Sequence, residues 1–262
     1  MTHQIELLRK HTSFKGQQRY YQDLAEPLDR HIELAIYLPE ATMANKHCSV
    51  IYYLPDIHAS AHKTASQSDY QRYANRYDMI VVIPDIFGNY QGEVSERLAR
   101  YQQEHNAITT YITEYLPSVI EHHFRAYETR SIMGFGFGAT LALNLALTYP
   151  EQFRSLSLFS PWIGFGNTPW FNSLTPTPQT DLDPIAKFTP KNQKIIPTWI
   201  DIGADDQLLG KQIHIERLEH ALSELPKAHQ TYLNQRPHYD HSYYFVASHI
   251  REHFVFHADN HE

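Results

Sequence analysis

The sequence lacks the features that mark several classes of protein. Among its 262 residues Cys48 is the only cysteine, so no disulfide can form within the chain. No apolar run approaches the length of a membrane span, and the first residues contain no apolar core of signal-peptide length. These absences lead us to expect a protein of the reducing cytoplasm that has no membrane partner.

Clusters of basic residues are missing as well. The 22 lysine and arginine residues are scattered along the chain, and the formal net charge is −7 with histidine counted as neutral. Proteins that bind nucleic acid usually concentrate basic residues in a patch or a stripe, so we expect no nucleic-acid partner. The chain does contain 42% hydrophobic and 19% charged residues, which is the composition of a globular protein.

Strand-like and helix-like segments alternate along the chain. Apolar or alternating runs predict strands at 5–11, 18–24, 31–38, 49–54, 79–84, 130–133, 153–159, 195–202 and 228–233. Helical patterns lie at 66–77, 106–123, 139–147, 212–224 and 242–256. A strand-only start followed by this alternation predicts one α/β domain over residues 1–262. Its central sheet should be mostly parallel and flanked by helices, with an antiparallel N-terminal start. The loop at 161–190 should lie over the site end of that sheet.

The turn that follows the predicted strand 130–133 carries a motif with known chemistry. In α/β-hydrolases a nucleophilic serine lies on a sharp strand-to-helix turn with the pattern G-x-S-x-G. Residues 134–138 read GFGFG, so the outer glycines predict an α/β-hydrolase fold while Gly136 occupies the nucleophile position. Glycine has no side chain that can attack a substrate, although it tolerates the strained backbone of such a turn.

An acid and a histidine follow in the order that this fold requires. Asp206 comes after the predicted strand 195–202 and is placed to orient a histidine, and His241 precedes the last helix as the predicted general base. The alternatives are a turn or helix-cap carboxylate for Asp206 and a hydrogen-bonded loop histidine for His241. We favour a catalytic set of His241, Asp206 and Gly136 that has lost its nucleophile.

The chain resembles the S-formylglutathione hydrolase family, also called the esterase D family, nearly from end to end. The resemblance is carried by LRKHTSFKG at 8–16, AIYLP at 35–39, DIGADDQLL at 201–209 and, most specifically, YDHSYYF at 239–245. It implies an esterase or thioesterase fold that uses no cofactor. It also places Asp206 and His241 on the family's acid and histidine, and Gly136 on its serine. Since family members are often dimers, it implies a homodimer.

Several positions of the expected site depart from that family. Asp56-Ile57 replaces a glycine-leucine pair that supplies one N–H of the oxyanion hole, and Ala59 replaces a cysteine. Phe135 and Phe137 replace the histidine and methionine beside the serine, and a stretch between residues 92 and 100 is shortened.

The resemblance implies that the backbone N–H groups of Ile57 and Phe137 are the oxyanion donors. It also implies that Asp56 and Phe135 are pocket residues. A carboxylate at Asp56 has the wrong sign for a site where negative charge develops. Asp56 is either a solvated turn residue or an ion-pair partner of His241 inside the substrate pocket that the resemblance implies.

These departures favour a degenerate relative that binds a small molecule or a protein and has lost serine-hydrolase activity. One alternative is an enzyme, either a weak or atypical carboxylester or thioester hydrolase that uses water activated by His241 and Asp206, or one with an unrecognised nucleophile. Another is a structural partner of an active paralogue. Histidines at 249, 253, 257 and 261 have a spacing that can chelate a metal. We interpret them as a solvated polar stripe, treat His58 and His62 in the same way, and predict no metal.

Overall fold

The computed structural model describes residues 5–174, 182–188, 195–225 and 230–261. Its strands are β1 (Ile5–Ser13), β2 (Gly16–Ala25), β3 (Arg30–Leu38), β4 (Cys48–Leu54), β5 (Met79–Pro84), β6 (Ala126–Phe135), β7 (Leu156–Phe159), β8 (Thr198–Gly203) and β9 (Thr231–Arg236). Its helices are α1 (Glu40–Met43), α2 (Ala61–Gln67), α3 (Gln71–Arg76), α4 (Val94–Thr110), α5 (Leu116–His123), α6 (Phe137–Thr148), α7 (Pro169–Leu174), α8 (Ile215–Ser223) and α9 (Tyr243–Asp259). A π-helical turn, Tyr111–Tyr115, joins α4 to α5.

All of these strands form one sheet in the order β1-β2-β3-β5-β4-β6-β7-β8-β9. The pairs from β1 to β3 and the pair of β3 with β5 are antiparallel. The pairs from β5 to β9 are parallel, with β4 between β5 and β6. The predicted mostly parallel sheet with an antiparallel start is therefore confirmed. No helix of the described residues is both long and apolar enough to cross a membrane.

Strands β4 and β5 are almost entirely apolar because helices cover both faces of the sheet. In β4, Val50 and Tyr52 belong to one hydrophobic cluster, while Ile51 and Tyr53 belong to the cluster on the opposite side. Alternate side chains of a strand point to opposite faces, so an unbroken apolar run is what a sheet buried on both faces requires. This layering leaves the carboxyl ends of the parallel strands free to carry polar groups.

Two predicted helices differ from the observed ones. The helix expected at 66–77 is divided into α2 and α3, because Asp69 between them has a φ of +52° that no helix continues through. The helix expected at 106–123 begins earlier, at Val94, where Glu93 and Glu96 form a reciprocal capping box. The observed helix α4 therefore starts within the stretch between residues 92 and 100 that is shortened relative to the family that the chain resembles.

The segment after β7 is described only in part. Within the predicted loop 161–190 the structure has helix α7 and a short 3₁₀ turn, Pro184–Lys187. Residues 175–181 and 189–190 of that loop lie outside the described residues, as do residues 228–229 at the start of the predicted strand 228–233. The strand predicted at 195–202 is observed as β8, three residues shorter at its start.

Helix α6 lies very close to the end of β4, and Gly138 is the residue that allows this approach. A Cβ at Gly138 would overlap the backbone carbonyl oxygens of Leu54 and Pro55. Backbone atoms cannot rotate away as a side chain can, so the two elements would have to separate. The outer glycine that the sequence motif emphasises is therefore required by packing.

We expect Gly138→Ala to lower the free energy of unfolding by about 3 kcal/mol, the upper end of the usual cost of overpacking a core. Gly210→Ala is the control, because a Cβ there meets no atom within 4 Å and only the φ of +74° opposes it. That strain costs roughly 1 kcal/mol. Urea denaturation measures both variants, and equal losses would contradict the close approach.

Candidate active site

The turn between β6 and α6 has a backbone that favours glycine. Gly136 stands immediately before α6 with φ +57° and ψ −126°, a region that side-chain-bearing residues rarely adopt. Its N–H donates to the carbonyl oxygen of Phe159 at 3.0 Å, which ties the turn to the neighbouring strand β7. The sharp strand-to-helix turn that the glycine motif predicts is thus present.

Asp206 and His241 come from two different strand ends and meet beside this turn. Asp206 follows β8 and His241 precedes α9, and the Nδ1–H of His241 donates to Oδ2 of Asp206 at 2.9 Å. The structure thus brings together the acid and the histidine that the sequence assigns to one site, and both side chains are buried, with 0% and 9% of the Asp206 and His241 side chains exposed. With the proton on Nδ1, the other ring nitrogen, Nε2, is an acceptor.

The pKa of Asp206 is set by opposing influences. Burial raises it, whereas the hydrogen bond from His241 lowers it, together with the N–H of Leu208 that donates to Oδ1 at 2.9 Å. The net pKa lies below the ordinary value of an aspartate, so the carboxylate remains charged and can orient the imidazole.

Asp56 lies under the turn, in neither of the two environments expected from the sequence. It is 8% exposed, so it is not a solvated turn residue. Its Oδ1 accepts the N–H of Phe137 at 2.9 Å, and no ion pair joins it to His241 within the described residues. The cause is the close approach of β4 to α6, which aims the residue after Pro55 at the first N–H groups of the helix.

The carboxylate of Asp56 fills the space that a side chain at position 136 would need. A Cβ at Gly136 would overlap Oδ1 of Asp56 and would lie 2.7 Å from Cγ of Asp56 and 3.1 Å from Nε2 of His241. The Phe137 N–H that the resemblance marks as an oxyanion donor therefore already has an acceptor within the chain. Ile57, marked as the second donor, is fully buried, and its carbonyl oxygen accepts from Arg97 at 2.9 Å.

A cavity of about 410 Å³ opens beside His241. Its walls are Asp56, His58, Ala59, Lys63, Gln67, Phe135, His241, Ser242, Tyr243 and Tyr244. The Phe135 ring stacks on the imidazole of His241 with centroids 4.6 Å apart. Nε2 of His241 is buried and has no hydrogen-bond partner among the described residues.

The two phenylalanines of the turn lie in different places. Phe135 lines the cavity, whereas Phe137 is buried against Tyr101 and Trp162, with ring centroids 5.0 and 5.3 Å away. Neither ring plugs the cavity, so the pocket predicted around Asp56 and Phe135 is open. Sequence reasoning missed the contribution of α2, whose Lys63 and Gln67 reach the cavity. The available signal was Ser60, which caps this helix by accepting the N–H of Lys63.

The histidines of α9 are not the solvated stripe expected from their spacing. His253 and His257 are fully buried because α9 packs its histidine face against β7 and β8. His253 stacks on Phe159 with centroids 3.7 Å apart. His257 binds the hydroxyls of Ser155 and Ser157 at 2.7 and 2.8 Å. Both histidines are therefore parts of the core: His257 is hydrogen-bonded there, whereas Nε2 of His253 lies 3.5 Å from the Asp201 carboxylate.

Three potential metal ligands come together where the middle of α9 meets β8. Ligand atoms of Asp201, His249 and Glu252 lie within 4.8 Å of one another. The guanidinium of Arg236 already pairs with Asp201 at 2.8 Å and with Glu252 at 3.5 Å. Since this cation pairs with both carboxylates, we interpret the group as an ion-pair network and not as a metal site.

A mostly parallel sheet, a sharp turn after its central strand and an acid–histidine pair at neighbouring strand ends define the α/β-hydrolase fold. The family model described as "Putative esterase" matches residues 25–258, and the chain belongs to this esterase family.

Solved structures agree with this assignment. An S-formylglutathione hydrolase from Agrobacterium tumefaciens has a TM-score of 0.83 and 25% identity, covering 98% of this chain and 100% of that one. The S-formylglutathione hydrolase of Staphylococcus aureus has a TM-score of 0.68 and 17% identity over 98% of both chains. A ferulic acid esterase from Anaeromyces mucronatus has a TM-score of 0.73 and 16% identity, covering 97% of this chain and 93% of that one. The last two likenesses concern the fold.

Burial of His257 generates a prediction about acid stability. Burial holds the pKa of His257 well below its ordinary value of 6.5, helped by the nearby His261 and His253. Below pH 6.5 His257 therefore binds a proton in the unfolded chain but not in the folded protein. The free energy of unfolding consequently falls as the pH falls. One proton corresponds to about 1.4 kcal/mol per pH unit.

We expect His257→Gln to reduce the slope of unfolding free energy against pH by about that amount between pH 6 and 5, in denaturant titrations at each pH. Glutamine keeps a polar group between the two serines but does not titrate. Identical slopes in the two proteins would show that His257 is protonated in the folded state.

Proposed function

We propose that this chain is a member of the esterase family that has lost acyl-serine chemistry and retains its cavity as a binding site for a small organic molecule. The observation that carries the proposal is the turn at Gly136, where the space for a nucleophilic side chain is held by the carboxylate of Asp56. In this proposal Gly136 stands at the serine position, and His241 and Asp206 are the remaining base and acid.

Two physical effects oppose hydrolysis by the serine mechanism. Removal of the nucleophile from a catalytic triad costs roughly 10⁶ in kcat. The Phe137 N–H is in addition engaged by Asp56, so a tetrahedral oxyanion would meet a negative charge where it needs a donor. Either effect alone reduces acyl transfer strongly, and here they occur at the same point.

The cavity nevertheless has the character of a ligand site. It combines the aromatic faces of Phe135, Tyr243 and Tyr244 with two inward polar groups, Asp56 and the unpartnered Nε2 of His241. Pockets of a few hundred Å³ with apolar walls and a few directed polar groups are typical of small-molecule sites. The structural neighbours act on S-formylglutathione or on ferulic acid esters, so conjugates of these two kinds are suitable probes.

A second candidate function is hydrolysis of carboxylic esters or thioesters by water that His241 activates. It is favoured by the intact His241–Asp206 pair, because an imidazole whose Nδ1–H is held by a carboxylate can accept a proton from water at Nε2. The two candidates can be distinguished by one measurement. Only the second predicts slow ester or thioester hydrolysis that is lost in His241→Gln.

The first test is labelling and binding. We expect no covalent adduct with a fluorophosphonate by intact-mass measurement, and binding of S-methylglutathione or methyl ferulate by calorimetry. Tyr244→Ala should weaken that binding, since Tyr244 is 87% exposed at the cavity. Tyr127→Ala is the matched control, a 53% exposed tyrosine at the opposite end of β6. A stoichiometric serine adduct, or no binding of either probe, would contradict the proposal.

The second test restores the hydroxyl. We expect Gly136→Ser to show at most slight hydrolysis of p-nitrophenyl acetate and to lose roughly 1–3 kcal/mol of stability, because serine must adopt φ +57°. Its Cβ must also displace Asp56. Gly136→Ser combined with Asp56→Gly removes that overlap and should be both more stable and more active than the single variant. Turnover by the single variant at typical enzyme rates, about 1–10³ s⁻¹, would show that Asp56 does not obstruct the site.

A further inference from the structure

The carboxylate of Asp56 is held in one orientation at the floor of the cavity. Oδ1 accepts the Phe137 N–H at 2.9 Å, while Oδ2 has only a long contact, 3.5 Å, with the N–H of His58. The side chain lines the cavity although it is largely buried. One oxygen is thus fixed by the backbone, and the other belongs to a side chain that lines the cavity and has no short hydrogen bond among the described residues.

A base faces the same point in space. The position of a Cβ at Gly136 lies 2.7 Å from Cγ of Asp56 and 3.1 Å from Nε2 of His241. The imidazole is nine-tenths buried, is held by Asp206, and has no partner for Nε2 among the described residues. A carboxylate, a base and a backbone N–H therefore converge where the turn leaves no side chain of its own.

We propose that Asp56 is a nucleophile toward substrates that carry an anionic leaving group, such as a halide, on a saturated carbon. The proposal rests on the proposed function only in using the same cavity. Carboxylates of aspartate serve as covalent nucleophiles in several enzyme classes. The effect that makes Asp56 harmful for acyl transfer is absent here. A saturated carbon develops no oxyanion during attack, and the carboxylate loses its charge as the ester bond forms.

The first step makes an alkyl ester on the protein. Oδ2 of Asp56 attacks the carbon, a new C–O bond forms, and the halide leaves with the electron pair of the broken bond. Lys63 places a cation on the cavity wall, where it can stabilise the departing anion. The product is the alkyl ester of Asp56, and its carbonyl oxygen, Oδ1, still accepts the Phe137 N–H.

The second step removes the ester. Nε2 of His241 takes a proton from water, the hydroxide oxygen attacks Cγ of Asp56, and negative charge develops on Oδ1. The Phe137 N–H is then an oxyanion donor, as in other acyl-transfer sites. Collapse expels the alkoxide, which takes the proton from His241 and leaves as the alcohol. The new carboxyl releases a proton to solvent, so the alkyl halide and water yield alcohol, halide ion and a proton.

The test uses 1-bromoalkanes from ethyl to octyl as probes. In His241→Gln the second step has no base, so we expect the mass of one alkyl group on the peptide that contains Asp56, stable to denaturation. Asp56→Asn in the same background should abolish that adduct. Asp205→Asn, which changes an aspartate whose side chain is 64% exposed outside the cavity, should leave it unchanged. Circular dichroism shows whether each variant is folded.

A second measurement needs no variant. Repeated turnover of the natural chain in water enriched in ¹⁸O should place ¹⁸O in the Asp56 carboxylate, because the attacking water oxygen remains on Cγ. Three results would each overturn the proposal: bromide release without that label, alkylation confined to Cys48 or histidines, and no adduct with any probe. The proposed function is judged separately by the fluorophosphonate and calorimetric measurements, so a cavity that binds ligands without forming an ester removes this inference alone.

Discussion

The site depends on one hydrogen bond, from the Phe137 N–H to the carboxylate of Asp56. It joins the end of β4 to the first turn of α6, two elements whose backbones are already in contact at Gly138. The carboxylate thereby occupies the volume into which a side chain at position 136 would project. Only one of the two groups fits, so the buried aspartate in this position requires glycine at position 136.

This exclusion determines the electrostatics of the cavity. A buried carboxylate is costly unless donors compensate it, and a helix N-terminus supplies both an N–H and a favourable dipole. Asp56 takes that compensation from the backbone and forms no ion pair with His241 in the described structure. His241 consequently keeps its bond to Asp206, and its Nε2 has no partner among the described residues. The polar end of the pocket therefore combines the Asp56 carboxylate, which the backbone holds, with the imidazole of His241.

The sequence predicts what depends on local pattern. The limits of β5 agree with the apolar run 79–84, and the turn at 134–138 could be found because close backbone approach demands glycine wherever it occurs. Tertiary placement escapes such patterns. The histidines of α9 are polar by type, yet their burial is decided by the sheet against which the helix packs. The direction of the Asp56 side chain likewise depends on α6, which is distant in sequence.

The site observed here differs from a serine esterase site that has only lost its serine side chain. Removal of a serine side chain alone would leave a neutral gap between the base and the oxyanion donor, and water would fill it. Here the gap is filled by a carboxylate that touches the donor and lies beside the base. The group between His241 and the Phe137 N–H is thus an anion, while His241 and Asp206 remain hydrogen-bonded to each other. Under our proposal such a site disfavours carbonyl carbons and favours substrates that lose an anion, because attack then consumes the negative charge of the carboxylate.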